Sequence, residues 1–372
     1  MPIGSRTKFV GATAIAVALL LTAASAKQDA TRMADEVFKN VVVLKGIPVD
    51  TFLDSMGMFA NAMGNDCTFC HASTAATNRA DFALQTPRIQ RARAMIGMMN
   101  AINKNYFKGE PRVTCFTCHG GNQSPRSDPN LALQYTPPPE DPNVRDFTAD
   151  PALSADRIFD KYLQAVGGAN LAKLTSFAGK GLYSGFDTGF EKVPVEIYAK
   201  APNQYATVVH TAAGISVRAF DGRSGWIAGP ETPVTLMTLT AGNLDRARLE
   251  AMAAFPSGIR QSFKEWRVGR AVLGDDEVMV VQATDGGQRL ANFYFAPSGL
   301  LVRFVRWTQT PVGFVPTQVD YSDYRDVSGV KIPFKRTITQ TYMRVDIELS
   351  GVQPNVSIDA ARFARPAPFK QG

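Results

Sequence analysis

The chain contains two copies of the pentapeptide Cys-x-x-Cys-His, at residues 67–71 and 115–119. Together they use all four of its cysteines and two of its three histidines. Cys-x-x-Cys-His is the attachment sequence of a c-type haem, in which the thiols form thioethers and the histidine binds the iron. The sequence therefore predicts two covalently bound haem c groups. The predicted attachment residues and proximal ligands are Cys67, Cys70, His71, Cys115, Cys118 and His119.

Two other uses of paired cysteines fit the pattern less well. A zinc site with four cysteine ligands has short spacings, whereas residues 71–114 separate the two pairs here. Zinc also gives no reason for a histidine directly after each pair. A redox-active dithiol normally occurs once, beside a βαβ pattern, and neither pair has that context. The repeated histidine favours haem.

The N-terminal segment, residues 1–26, has the pattern of a signal peptide. Arg6 and Lys8 precede an apolar run over residues 9–21, and Ala-Ser-Ala at 24–26 forms a cleavage site. The run is short and rich in Ala and Gly for a membrane-spanning helix, so an uncleaved anchor is the alternative. Because export leads to an oxidising compartment, we expect a periplasmic protein.

Composition predicts a folded protein with more than one domain. The chain has 372 residues, of which 45% are hydrophobic and 20% charged, as in globular proteins. The net charge of +7 includes no run of Lys or Arg, and we expect no nucleic-acid partner. Four segments are predicted: a signal peptide (1–26), a dihaem cytochrome c domain (27–121), a proline-rich linker (122–152) and a β-rich domain (153–372).

The predicted haem domain has a helix before each pentapeptide. We expect an opening helix over 31–44 and a second helix over 51–63 with Asp50 as its N-cap. A third helix begins at Thr86-Pro87, a cap followed by proline in the first turn, and runs to about residue 107. Each haem site therefore has the same plan of helix, turn and pentapeptide.

The sixth ligand cannot be histidine at both irons, because only His210 remains, in a strand-like segment. Methionine is the alternative, since its thioether binds haem iron and raises the potential. The methionines just upstream of the two pentapeptides are Met56, Met58 and Met63, then Met95, Met98 and Met99. Helical phase places Met58 on the polar face and Met98 at an edge. Phase leaves Met56 and Met63 open for the first site and Met95 and Met99 for the second, with core packing as the alternative role.

Residues 35–121 resemble the haem-binding unit of the cytochrome c subunit of photosynthetic reaction centres. The stretches that carry the resemblance are 42–44, 51–56, 94–96, 101–103 and 113–119. In that family each methionine ligand comes from the helix before its own pentapeptide, so the resemblance implies Met56 for the first haem and Met95 for the second. The family typically has four haems and this chain has two pentapeptides. Residues 107–109 (Phe-Lys-Gly) stand where the family has a distal histidine.

From residue 153 the chain is mainly strand-like. After a helix over 154–166, β-branched and aromatic runs alternate with turn residues, and one helical interruption is expected over 241–263. The pattern predicts an antiparallel, strongly curved sheet with a helix against it. This arrangement, including the turn at 221–226, resembles the half-barrel of the lipoprotein-carrier family, whose concave face holds acyl chains. The resemblance implies a lipid or quinone ligand; a purely structural or docking domain is the alternative.

The sequence as a whole predicts a multidomain protein, with a mainly α dihaem domain followed by an antiparallel β-rich, half-barrel-like domain. We expect an electron carrier and not an enzyme, with two haems ligated by His71/Met56 and His119/Met95. Its partners would be redox proteins of a membrane electron-transport complex or a reaction centre. The rival functions are a haem enzyme such as a dihaem peroxidase, and a lipid- or quinone-binding protein with haem as a redox switch.

Overall fold

The computed structural model describes residues 31–133, 135–136, 141–230 and 232–369. The predicted signal peptide and part of the proline-rich segment lie outside these residues. The described N-terminal part is helical, and the C-terminal part is built on a single antiparallel sheet with a few helices. This arrangement confirms the predicted fold class.

The α-helices of the described N-terminal part precede or contain the pentapeptides. They are α1 (Ala34–Val37), α2 (Val49–Met63), α3 (Pro87–Tyr106) and α4 (Cys115–His119). Helix α4 is the second pentapeptide itself, while the first pentapeptide begins as a 3₁₀ turn at Cys67–Phe69. Among the residues described here, no helix combines the length and the apolar character needed to cross a membrane.

The opening helix is shorter than predicted, and the second starts earlier. Helix α1 ends at Val37, because the backbone of Phe38 is extended (φ −103°, ψ 140°) and that of Asn40 is left-handed (φ 63°), and neither conformation continues a helix. Helix α2 begins at Val49 with Pro48 as its N-cap, so the prediction of Asp50 as N-cap is wrong. The carboxylate of Asp50 is used elsewhere, as described below. The third helix has the predicted start and cap.

Thirteen antiparallel strands form one open sheet in the described residues. The strands are β1 (Ser176–Gly185), β2 (Val193–Lys200), β3 (Gln204–Thr211), β4 (Gly214–Phe220), β5 (Gly225–Ala228), β6 (Met237–Thr238), β7 (Glu265–Leu273), β8 (Asp276–Asp285), β9 (Gln288–Phe295), β10 (Leu301–Thr310), β11 (Gly313–Val327), β12 (Val330–Gln340) and β13 (Arg344–Pro354). Their order across the sheet is β6-β5-β4-β3-β2-β1-β13-β12-β11-β10-β9-β8-β7. A twisted open sheet of more than about ten strands normally curls.

Two helices pack on the same face of the sheet, which we call the inner face. They are α5 (Ala155–Val166) and α6 (Ala241–Ala254). Phe159 and Tyr162 of α5 and Leu249 of α6 are fully buried in the main hydrophobic core, against alternate residues of the strands. The predicted helix at 154–166 and helical interruption at 241–263 are both present.

Residues 141–150, at the end of the predicted linker, lie against the opposite face of the sheet. There Gln282 Nε2 donates to the carbonyl of Arg145 (2.9 Å), and the Tyr294 hydroxyl donates to the carbonyl of Pro142 (2.7 Å). Both side chains are fully buried, so each hydrogen bond satisfies a polar group that would otherwise be costly. This stretch is therefore part of the packing of the sheet.

Helix α2 contacts the sheet-bearing part through two buried carboxylates. Asp50 accepts hydrogen bonds from the backbone N–H and the hydroxyl of Thr240, both at 2.6 Å. Because Thr240 is the N-cap of α6, the carboxylate lies at the positive end of that helix. One turn further along α2, Asp54 accepts from Asn243 Nδ2 at 2.8 Å. These bonds fix the helix that carries Met56 against the sheet.

Candidate haem-binding cavity

A cavity of about 1460 Å³ extends from the pentapeptides to the inner face of the sheet. Ordinary small-molecule pockets have volumes of about 300–1,000 Å³, so this space is large enough for more than one ligand of that size. The predicted site residues that line it are Met56, Met63, Cys67, Cys70, His71, Met95, Met98, Met99, Cys115, Cys118 and His119. The structure thus brings both pentapeptides and five of the six upstream methionines around one space.

Both pentapeptide histidines are oriented by backbone carbonyls. Nδ1 of His71 lies 2.9 Å from the oxygen of Phe82, and Nδ1 of His119 lies 3.1 Å from the oxygen of Asn122. A carbonyl oxygen only accepts, so each contact requires a proton on Nδ1, and in the neutral ring Nε2 is then unprotonated. An imidazole held in this tautomer is the usual form of a metal-binding histidine. Burial lowers the pKa of His71, which also favours the neutral ring.

The first pentapeptide is attached to the N-terminal end of α3. The Thr86 hydroxyl donates to the carbonyl of Cys70 (2.5 Å) and accepts from the N–H of Ile89 (3.2 Å), so one side chain caps the helix and holds the pentapeptide. Arg88 donates to the carbonyl of Phe69 (2.7 Å) and lies 4.1 Å above the ring of the same residue. The chain around the first pair of thiols is therefore fixed to the start of this helix.

The second pentapeptide is attached to the C-terminal end of the same helix. The side-chain amide of Asn103 donates to the carbonyl of Val113 (2.7 Å), and its oxygen accepts from the N–H of that residue (2.9 Å). Thr114 then caps α4 by accepting from the N–H of Thr117 (3.3 Å). Met95 lies on α3 between the two points of attachment, just over about two turns from the start of the helix.

The two haem segments meet where α2 ends. The N–H of Gly121, just after the second pentapeptide, donates to the carbonyl of Ala62 (3.0 Å). Gly64 ends α2 with a left-handed backbone (φ 61°), and a Cβ there would lie 2.3 Å from the oxygen of Gly121. Only glycine fits both the backbone conformation and the close approach.

The upstream methionines differ in their surroundings. Met58 is 5% exposed, packs with Leu44, Val312 and Val315, and is absent from the cavity lining. Met99 belongs to the same buried cluster but also reaches the cavity. Met98 reaches the cavity too, although it is 56% exposed. Met56, Met63 and Met95 are partly buried residues of the lining.

Three of the four thiols have an environment unlike that of a redox-active dithiol. Burial raises the pKa of Cys67, Cys70 and Cys115, the last to about 11. Reactive dithiols instead need a lowered thiol pKa, because the thiolate is the nucleophile. In the described ranges, no group of three or more His, Cys, Asp or Glu is arranged to hold a metal ion directly. Paired thiols, histidines with free Nε2 atoms and nearby thioethers are the donor set that haem c requires, and they fit it.

His210, the third histidine, lies in β3, 3.7 Å from a carboxylate oxygen of Glu196, and is absent from the cavity lining. The sequence interpretation missed a different set of side chains at the far end of the cavity: Arg218, Arg246, Glu250 and Arg336. They come from β4, α6 and β12, and no local pattern connects positions so far apart in the chain.

The cavity has the features of a c-type cytochrome site. Residues 8–132 match the family model described as the photosynthetic reaction centre cytochrome C subunit, which confirms the resemblance found in the sequence. The match indicates a cytochrome c with an electron-transfer role and covalently bound haem c. No curated protein matches the chain.

Solved structures similar to this chain align with its C-terminal part. A LolA superfamily protein from Nitrosomonas europaea has 13% identity and a TM-score of 0.37, covering 57% of this chain and 98% of its own. A DUF1329 family protein from Desulfovibrio piger has 10% identity and a TM-score of 0.40, covering 56% of this chain and 96% of its own. These TM-scores are too low for either structure to define the fold of this chain.

Proposed function

We propose that this protein is a periplasmic dihaem c-type cytochrome that transfers single electrons between redox partners. His71 and Met56 would ligate the first iron, and His119 and Met95 the second. The observation that carries the proposal is the orientation of both histidines, each with Nδ1 on a backbone carbonyl and with its pentapeptide thiols lining the same cavity.

The residues of the chain would hold each haem from several sides. Cys67 and Cys70, or Cys115 and Cys118, would attach it covalently, and the histidine and the methionine would provide the ligands of its iron. Haem c supplies a one-electron iron couple when bound, and thioether ligation raises its potential. With a histidine and a methionine as iron ligands, the site would suit electron transfer better than reactions that need an open iron position.

The location and partners follow from the same reasoning. An exported protein with attached haems would exchange electrons with a membrane electron-transport complex or with a reaction centre. Residues 27–121 would form the electron-carrying domain, residues 122–152 the connection and residues 153–372 the sheet domain. Helix α2 would connect the electron-carrying domain to the sheet domain, because Met56 lines the cavity and Asp50 is hydrogen-bonded to Thr240.

Absorption and EPR spectra of the purified holoprotein test the ligation. We expect two haems per chain, both low-spin and six-coordinate, and conversion of one haem to high-spin by Met56→Ala and of the other by Met95→Ala. Met63→Ala and Met99→Ala are the matched comparisons within the same helices, and Met98→Ala is the exposed control. Each should leave both haems low-spin.

A five-coordinate or bis-histidine iron in the wild-type protein would refute the ligand set. If Met63→Ala makes a haem high-spin and Met56→Ala does not, Met63 is the ligand. The same reasoning applies to Met99 and Met95. Rapid turnover of peroxide by the wild-type protein would favour the haem enzyme over the carrier.

A lipid or quinone ligand is the second candidate function of the cavity. The observation that favours it is the apolar wall that the sheet contributes, with Val209, Ile338, Val345 and Ile347 in the lining. Organic extraction of the native holoprotein, followed by mass spectrometry, should then recover a stoichiometric lipid or quinone. Recovery of neither from protein purified without detergent would exclude this function.

A further inference from the structure

Three arginines gather where the cavity meets the inner face of the sheet. Arg218 comes from β4, Arg246 from α6 and Arg336 from β12, and all three line the cavity. Among the side chains that line the cavity here, the acidic ones are Glu250 and Asp187. If all five groups are ionised, this part of the lining carries a net charge of +1.

The hydrogen bonds of this cluster do not use all of its donors. Arg246 Nε donates to Glu250 (2.9 Å), Arg336 donates to the hydroxyl of Tyr205, and the hydroxyl of Tyr183 donates to Asp187 (2.7 Å). In contrast, Nη1 of Arg218 and Nη1 of Arg246 are buried without a hydrogen-bond partner among the described residues. One oxygen of Asp187 is also unpartnered. Because Arg246 is only 4% exposed, water does not readily replace the missing acceptor.

The charges of these side chains indicate that a bound anion would stabilise the arginine cluster. Although burial acts to raise it, the pKa of Glu250 is held below its usual value by Arg246 and Arg218. Burial, followed by the repulsion of Arg246, lowers the pKa of Arg218 to about 10, so its guanidinium is still charged at neutral pH. A buried cation with a free N–H is costly unless an acceptor of opposite charge reaches it.

We propose that Arg218 and Arg246, with Arg336, form a binding site for a carboxylate carried by a largely apolar molecule in this cavity. One carboxylate would balance the excess charge and accept from both free guanidinium nitrogens, as guanidinium–carboxylate pairs commonly do. The apolar strand residues around the cluster would enclose the rest of the molecule.

Two molecules present this chemistry here: a haem, through one of its propionates, and a free fatty acid. The first source rests on the haems of the proposed function, whereas the second does not. Arg218→Gln is the test variant, because its Nη1 has no hydrogen bond to lose. Arg218→Lys keeps the charge, and Arg223→Gln removes an exposed arginine from the neighbouring β4–β5 turn as a matched control.

Redox titration of the holoprotein tests the propionate. Haem content is first measured for every variant, since fewer than two haems per chain would count against the proposed function and leave this site to the fatty-acid experiment. If a propionate binds, Arg218→Gln lowers the potential of one haem because a compensating positive charge is lost. Arg218→Lys and Arg223→Gln should stay near the wild-type value.

Binding of cis-parinaric acid, compared with the corresponding alcohol, tests the fatty acid. If a free carboxylate binds, we expect the affinity for the acid to fall about tenfold in Arg218→Gln, as for the loss of one charged hydrogen bond. The affinity for the alcohol should not change. The proposal is overturned if Arg218→Gln leaves both haem potentials and the affinity for the acid at wild-type values.

Discussion

At the scale of single residues, Asp54 is a buried carboxyl group of the haem-bearing part. It lies on α2 with 3% of its surface exposed and accepts a hydrogen bond from Asn243. Burial raises its pKa from 3.8 to about 6, although Arg306 and the hydrogen bond act to lower it. No local sequence pattern indicates this environment, because Asn243 lies 189 residues further along the chain.

The raised pKa of Asp54 gives the stability of the fold a pH dependence with a definite sign. Since the folded-state value of about 6 exceeds the ordinary 3.8, the folded protein binds the proton more tightly than the unfolded chain. The contribution of Asp54 to the free energy of unfolding is therefore full below about pH 4 and is lost as the pH rises to about 6, by at most about 3 kcal/mol.

Denaturant unfolding of wild type and Asp54→Asn at a series of pH values measures this effect. Asparagine keeps an acceptor for Asn243 but does not titrate, so the difference between the two proteins isolates the carboxyl group. The advantage of the wild type should decrease between about pH 4 and 6. A difference that is constant, or that increases over this range, would contradict the assignment.

At the scale of elements, the packing of α2 on the sheet depends on Gly57. A Cβ at this position would lie 2.4 Å from Cδ1 of Tyr342, which is too close for any side chain. Gly97, in the middle of α3, has nothing within 4 Å of the same atom. There is thus no space for a side chain at Gly57, whereas there is open space for one at Gly97.

Gly57→Ala and Gly97→Ala should therefore change stability in opposite directions. The first forces α2 away from Tyr342 and should cost about 1–3 kcal/mol, as overpacking does. The second should stabilise α3 by about 0.5–1 kcal/mol, since alanine is the better helix former. Thermal unfolding of the two holoproteins checks both signs, and a stabilising Gly57→Ala would show that the contact is not tight.

The carboxylate of Asp50 links the haem-bearing helix to the start of α6. Asp50→Ala leaves the N–H and hydroxyl of Thr240 without their acceptor, and we expect a loss of about 1–3 kcal/mol in the free energy of unfolding. Asp156→Ala, which removes an exposed partner of Arg260, is the control and should cost about 0.5 kcal/mol or less. Equal effects of the two substitutions would mean that the buried bond adds nothing.

The elements themselves were predictable where their signals are local. Helix α3 and its cap at Thr86 follow from sequence, as do strands such as β9 and β10. Strand β1 has no β-branched run and its glycines lower strand propensity, yet Gly181 is required there: a Cβ would lie 2.1 Å from the carbonyl oxygen of Glu348 in β13. Strand β12 contains Pro333, a residue that disfavours a central strand, yet the sheet accommodates it opposite Tyr324 of β11.

At the scale of the whole molecule, the helical part and the sheet share buried contacts and one cavity. Asp50 and Asp54 accept hydrogen bonds from the segment that begins α6. Arg79 donates hydrogen bonds to the carbonyls of Thr232 (2.6 Å) and Pro230 (3.0 Å). Breaking the helical part away would expose these groups and the cavity walls together. We therefore expect the two parts to unfold as one cooperative unit.

Two spectroscopic probes report separately on the two parts. All three tryptophans, Trp226, Trp266 and Trp307, lie in strands, while the Soret band follows haem ligation at the pentapeptides. Urea transitions from fluorescence and from the Soret band should coincide in the wild type and separate in Asp50→Ala. Separate transitions in the wild type would show two independently stable domains.

The sequence by itself indicated covalent haem attachment and determined the order of the two parts. Thioether attachment and helix periodicity depend on residues within a few positions of one another, so two pentapeptides and their upstream helices can be recognised along the chain. The tertiary structure decided that one cavity serves both pentapeptides, that Met58 packs away from it, and that Arg218, Arg246 and Arg336 meet at its inner end. Those outcomes depend on contacts between distant segments, which the curl of the sheet brings together and no local pattern records.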